Sequence, residues 1–279
     1  MAREKITQSL GELNGPLLIF GGVYSNLQAL QAMQEVASQQ GFLPEQIICT
    51  GDVVGYCAQP EETVQAIRDW GISVILGNVE IQLGEGAEDC GCDFSPGGRC
   101  DLFSRQWYPY AQSQLSQASI DWMQGLPDFL EFSFSGKKAL VVHGSYFEEA
   151  DYVFASTPWS TKQANFEATQ ADVILAGHCG LPFHSMQDGK AWLNPGVIGM
   201  PANDGEPHVW YMILQETVFG WTFMHHKLTY DHQTAAKLMR EKQLPLSYAQ
   251  TLETGLWDNC EILPEAETQA QGKPLGLAR

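Results

Sequence analysis

The feature that most constrains this chain is a set of six short apolar runs, each stopping at a glycine or a turn beside a polar side chain. Gln46-Ile-Ile-Cys-Thr50 runs into Gly51-Asp52, and Leu17-Leu-Ile-Phe20 into Gly21-Gly-Val-Tyr-Ser-Asn26. Ser73-Val-Ile-Leu76 meets Gly77-Asn78, Leu140-Val-Val142 meets His143-Gly144, Val173-Ile-Leu-Ala176 meets Gly177-His178, and Trp192-Leu193 meets Asn194-Pro-Gly196. Each run reads as a buried strand. Ligands of open α/β sheets bind at the carboxyl ends of the strands, so the six tips are expected to converge on one site. Asp52 is the only carboxylate among them.

Between the runs the period changes. Leu27, Leu30, Met33 and Val36 fall at helical spacing behind a Ser25 or Asn26 cap. Pro60-Glu-Glu62 opens a second helix that turns Val64, Ile67 and Trp70 inward. Strand–helix alternation of this kind indicates βαβ units and a largely parallel sheet. Residues 84–100 carry three cysteines, Cys90, Cys92 and Cys100, without helical or strand period, and read as a long loop. A helical region spans about 102–124, a hairpin turns at Gly136-Lys137, and another helix covers 161–169. Antiparallel strands follow, with Asp188-Gly189 as a strong hairpin turn, and then an amphipathic helix over 231–243. His184, His225 and His226 read as strand-surface residues. The domain is expected over 16–256, with residues 1–15 a loosely ordered lead-in and 257–279 a peripheral or disordered tail.

Charge excludes several partners. The chain of 279 residues has a net charge of −18 with only 15 basic residues and no basic cluster. Phosphate contacts along a nucleic acid need clustered Lys and Arg, so neither a nucleic acid duplex nor an anionic membrane is the expected partner. No apolar stretch approaches the roughly 20 residues of a membrane span, and Met1-Ala-Arg-Glu-Lys5 lacks a signal-peptide core, so the expected location is cytoplasmic. Seven cysteines, an odd number, are expected to be reduced.

The strand tips resemble the calcineurin-like metallophosphoesterases over about residues 16–245. The family's Asp-x-His, Gly-Asp, Gly-Asn-His, His-Gly and Gly-His-x-His align in order with Gly22-Val-Tyr24, Gly51-Asp52, Gly77-Asn-Val79, His143-Gly144 and Gly177-His-Cys-Gly180. Ser25-Asn-Leu-Gln-Ala-Leu30, Gly51-Asp-Val-Val-Gly-Tyr56 and Leu193-Asn-Pro-Gly196 resemble the small bacterial phosphodiesterase-like branch. The resemblance implies a four-layer α-β-β-α sandwich of two mixed β-sheets.

It also implies an altered metal site. Gly22, Tyr24, Val79 and Gly180 stand at positions that the family fills with an aspartate and three histidines. Of the implied ligands of the first metal only Asp52 remains, whereas Asp52, Asn78, His143 and His178 retain the full set for the second, with Asp52 and Asn78 the implied catalytic residues. One carboxylate, one amide oxygen and two imidazoles suit one divalent transition metal, Mn, Fe or Zn. Tyr24, Cys90 and Cys92 are candidate substitute ligands for a second ion, and Cys90-Gly-Cys92 is equally a candidate local disulfide or redox pair. Blander roles stand beside these: Asp52 as a strand-end acceptor of backbone N–H groups, and His143 and His178 as buried, satisfied histidines. Glu80, Asn194 and Asn203-Asp204 are candidates to line the pocket.

Two functions are compatible with this pattern. The first is hydrolysis of a small phosphate mono- or diester by a mononuclear or altered metal site. The second is a non-catalytic member of the fold that binds phosphate, a nucleotide or a partner protein. The sequence carries no signal for an oligomeric state.

Overall fold

The structure, a computed structural model, describes residues 3–92 and 94–277. Its strands are β1 (Thr7–Glu12), β2 (Leu17–Phe20), β3 (Ile47–Cys49), β4 (Ser73–Val74), β5 (Phe129–Phe134), β6 (Lys137–Val142), β7 (Val173–Ala176), β8 (Phe183–Gln187), β9 (Lys190–Asn194), β10 (Val209–Thr217) and β11 (Gly220–Leu228). The helices are α1 (Leu27–Gln40), α2 (Pro60–Trp70), α3 (Asn78–Glu85), α4 (Arg99–Gln114), α5 (Gln117–Gln124), α6 (Trp159–Thr169), α7 (His232–Glu241), α8 (Leu246–Thr254) and α9 (Glu265–Gln269).

Local chemistry explains the boundaries. Asn26 Oδ1 accepts the Ala29 N–H at 3.2 Å and starts α1, which closes at Gly41 in the left-handed region. The helical region after the cysteine loop is two helices, broken at Leu115, with Ser116 capping α5 through the Ser119 N–H. Asp188 and Gly189 both adopt positive φ, as the two-residue turn between β8 and β9 requires.

Two mixed sheets stack face to face, one in the order β1-β5-β6-β7-β9-β8 and the other β11-β10-β2-β3-β4. Leu17, Ile19 and Ile48 from the second meet Phe132, Val141 and Leu175 from the first in a dry inner layer. The opposite face of the five-stranded sheet packs Leu18 and Phe20 against Leu30, Met33, Val64 and Met239 of the covering helices. The outer face of the six-stranded sheet buries Ile174 and Trp192 beneath Phe166 of α6. The four-layer sandwich follows: strands buried on both faces cannot alternate polar and apolar residues, which is why they read as continuous apolar runs.

Register then brings the tips level. Phe20 pairs with Cys49 in one sheet, and Val142 with Ala176 in the other. The next residues of each strand therefore emerge at one end of the sandwich.

Two expectations are corrected and a third is narrowed. The lead-in is not loose: β1 lies parallel to β5 and forms the edge of the six-stranded sheet. Of the two alternatives for the tail, its described residues are ordered and peripheral: Leu263 is buried in the outer core, and the Trp257 N–H groups bond Asn203 Oδ1 and the Pro201 carbonyl at 2.8 and 2.7 Å. His225 is not on the surface; it is buried and donates from Nε2 to the Asn194 carbonyl at 2.8 Å. Polar composition hid all three, since these segments are held by hydrogen bonds and by scattered apolar contacts that form no periodic pattern. No described helix is long and apolar enough to cross a membrane.

Candidate metal centre

The four polar residues at the strand tips meet around one atom. His143 Nε2 lies 3.2 Å from Asp52 Oδ2, 3.1 Å from Asn78 Oδ1 and 3.2 Å from His178 Nδ1. Metal–ligand bonds of about 2.0–2.2 Å set neighbouring ligand atoms about 3.0–3.4 Å apart, so these separations are those of a coordination shell. All four residues are buried. Among the described residues, Asp52, His143 and His178 form the one group of three His, Cys, Asp or Glu side chains whose ligating atoms are this close together.

The surroundings fix each side chain. His143 Nδ1 donates to the Thr50 carbonyl at 2.7 Å, which leaves Nε2 to carry the lone pair once the ring is neutral. Asn78 begins α3, and its amide nitrogen donates to the Cys90 carbonyl at 2.8 Å and to Cys92 Sγ at 3.2 Å. With both amide hydrogens committed to the cysteine loop, Oδ1 must face His143. Glu80 is fully buried behind the site; its carboxylate accepts the N–H groups of Asp52 at 2.9 Å, Gly77 at 2.9 Å and Val54 at 3.1 Å. Asp52 and His178 themselves hold positive φ, as do Tyr24 and Ser25. Such backbone strain persists only where surrounding contacts over-determine it. Gly77 is required for a separate reason: a Cβ there would overlap the Asp52 carboxylate.

Electrostatics leave the centre short of a cation. Burial disfavours charge on Asp52, but His143 beside it outweighs burial and holds its pKa below the usual carboxylate range. Burial likewise opposes protonation of His143, and Asp52 with the Thr50 carbonyl outweighs it, so the imidazole pKa is raised. Burial and then His143 push His178 down to about 3. Burial and the Asp52 charge raise Glu80 to about 7. Asp52 Oδ1 is buried without a hydrogen-bond partner, and an unpaired buried carboxylate oxygen is costly unless a cation meets it. The donor set therefore fits a divalent ion.

The other half of the pocket is aromatic. A Cβ on Gly22 would overlap the Tyr24 ring, and Gly55 and Gly199 close on the same side chain. Gly180 faces the Trp257 indole, whose Cη2 would lie 3.3 Å from a Cβ there. Val79 is buried in the main core. Burial, reinforced by Asp52, raises the Tyr24 pKa far above that of a free phenol. Cys90 and Cys92 do not join the Asp52–His143–His178 group; they bind the Asn78 amide instead. All seven cysteines are free thiols, so no Cys90–Cys92 bridge is present.

The remaining candidates act on the scaffold. Asn194 Nδ2 donates to the Gly177 carbonyl at 2.8 Å, and Asn203 holds the tail. Asp204 pairs with His208 at 3.2 Å. Sequence reasoning missed Tyr152, Tyr248 and Trp257, which line the cavity with Tyr24, Tyr56 and His178. Their spacing along the chain gives no sign of a common pocket.

Residues 18–217 match the family model described as the calcineurin-like phosphoesterase superfamily domain. The chain belongs to this superfamily. It is 24% identical over 245 residues to MJ0912 of Methanocaldococcus jannaschii, an uncharacterized protein, covering 82% of this chain and 93% of that one. Its fold is similar to a metallophosphoesterase from Sphaerobacter thermophilus (TM-score 0.67, 24% identity, 88% of this chain and 100% of that one). It is also similar to the hypothetical protein PH1004 of Pyrococcus horikoshii (TM-score 0.70, 18% identity, 87% and 99%).

Proposed function

We propose that this superfamily member holds one divalent transition metal, Mn, Fe or Zn, on Asp52, Asn78, His143 and His178, and hydrolyses a small phosphate mono- or diester. The observation that carries the reading is the convergence of donor atoms at 3.1–3.2 Å on His143 Nε2. When bound, such an ion supplies Lewis acidity toward a phosphoryl oxygen and lowers the pKa of a water.

The chain's own residues set the rest. Asp52 supplies the one carboxylate among the four ligands, so the ion and its ligands together keep a positive charge that favours an anion, while the Glu80 carboxylate behind them is engaged by backbone N–H groups. Thr50, Glu80 and the cysteine loop hold the ligands in place. Tyr24 and Trp257 pack the positions at Gly22 and Gly180, which supports one ion rather than two. Proton supply to the leaving group is the weak point. Val79 is apolar and buried, and the thiols of Cys100 and Cys179 are pushed up to about 11 and about 12 by burial. General acid help is worth roughly 10²–10⁴-fold, so the reaction is expected to favour esters with acidic leaving groups.

Metal analysis and turnover of the purified protein test this. One equivalent of Mn, Fe or Zn, lost in His178→Ala, with faster hydrolysis of p-nitrophenyl than of alkyl phosphates, is the expected result. Two equivalents would refute the single-ion site. The filled half-pocket and Val79 favour a second reading, a phosphate-, nucleotide- or partner-binding protein without turnover. One bound metal with no hydrolysis of any tested ester would select it.

A further inference from the structure

Six aromatic side chains, Tyr24, Tyr56, Phe94, Tyr152, Tyr248 and Trp257, line one cavity that Asp52 and His178 also line. Tyr56 meets Tyr24 at 4.8 Å and 82° and Tyr248 at 4.8 Å and 71°, and Tyr152 leans over His178 at 4.4 Å and 38°. Crossed planes make the corner of a box, whereas a nucleobase stacks in a slot between parallel faces. The space is about 70 Å³, against roughly 300–1,000 Å³ for sites of drug-sized ligands. A compact head group fits it and a nucleoside does not.

The charge around the cavity has one sign. Among the described residues no Lys or Arg lines it, and its charged members are Asp52 and Asp258. Asp258 is paired with Arg99, and aromatic rings make up much of the remaining lining. The face of an aromatic ring carries negative potential and attracts organic cations. Tyr24, Tyr56, Tyr152 and Tyr248 each contribute a ring to the lining.

We infer that this pocket is a cage for a small quaternary ammonium group, and that the phosphate ester held by the neighbouring centre is a zwitterion whose alcohol carries that cation. The phosphate half of the inference rests on the proposed metal centre; the cage does not. Phosphate bridges the two parts, its charge turned to the metal side and its cationic alcohol to the rings.

An isosteric pair separates the two claims. Choline and 3,3-dimethylbutan-1-ol have the same shape and differ by one positive charge. Calorimetric titration of the full chain, with and without Mn²⁺, is expected to show choline binding about three- to thirty-fold tighter than the neutral isostere. Trp257→Leu is expected to reduce that preference without changing Mn²⁺ stoichiometry. On the Mn²⁺-loaded protein, phosphocholine is expected to bind more tightly than choline. Equal binding of the isosteres, no binding of choline, or tighter binding of adenosine monophosphate than of phosphocholine would overturn the cage. A choline preference that persists in a protein taking up none of Mn²⁺, Fe²⁺ and Zn²⁺ would overturn the metal centre and leave the cage standing.

Discussion

Cys92→Ala offers a direct test of how the cysteine loop sets up the centre. Asn78 is buried, and its two amide hydrogens go to the Cys90 carbonyl at 2.8 Å and to Cys92 Sγ at 3.2 Å. Removing the sulfur leaves one buried N–H unpaired, at a cost of about 1–3 kcal/mol. Sulfur is a weak acceptor, so a value in the lower half of that range, about 1.4 kcal/mol, applies. Without metal the freed amide can turn and recover a partner, whereas a bound ion pins Oδ1 and prevents that. The cost therefore falls on the loaded state and is expected to weaken metal affinity about ten-fold. Cys92→Ser keeps an acceptor and is expected to stay within about three-fold of the parent protein. Competition for Mn²⁺ against a fluorescent chelator measures both, with thermal unfolding as a check on folding. Alanine within about two-fold of the parent, or serine as weak as alanine, would refute the orienting role.

Other expectations follow from the same geometry. Glu80→Ala strands three buried N–H groups on Asp52, Val54 and Gly77, and even the low end of about 1 kcal/mol for each gives roughly 3 kcal/mol of destabilisation; an unchanged midpoint in urea unfolding would refute the brace. Gly77→Ala drives a methyl into the Asp52 carboxylate and is expected to reduce metal content in a folded protein, measured by elemental analysis. Metal uptake is expected to release protons. His143 is held above its usual pKa and Glu80 near about 7 without metal, and both lose protons when a cation offsets Asp52, so affinity rises between about pH 6 and 8. Calorimetry in buffers of different ionisation enthalpy reads the protons directly, and pH-independent binding would contradict the assignment. Truncation after residue 256 removes Trp257 and the Glu261 carboxylate that accepts the Arg99 N–H at 2.9 Å at the start of α4. It is expected to open the aromatic pocket, seen as loss of the choline preference.

Much of the site was legible before any coordinates. Asp52, Asn78, His143 and His178 each follow an apolar run, and strands that end at one level must deliver the next residue to one place. The hairpin at Asp188-Gly189 was equally readable, because two residues of positive φ leave few alternatives. Local chemistry decided these features, and local chemistry is what a sequence displays.

Tertiary packing alone decided what fills the space beside them. At Gly22 and Gly180 the sequence records missing side chains, but not that Tyr24 and Trp257 occupy the room they leave. Nor does it tell that residues 7–12 extend a sheet, that Trp257, Asp258, Asn259 and Ile262 line the pocket, or that Cys92 grips Asn78. Each depends on contacts outside any one helix or strand, some hydrogen-bonded and some between packed rings. Such contacts leave no apolar period for a sequence to show. The strand tips bring four donor side chains together, and the folded chain builds an aromatic chamber beside them.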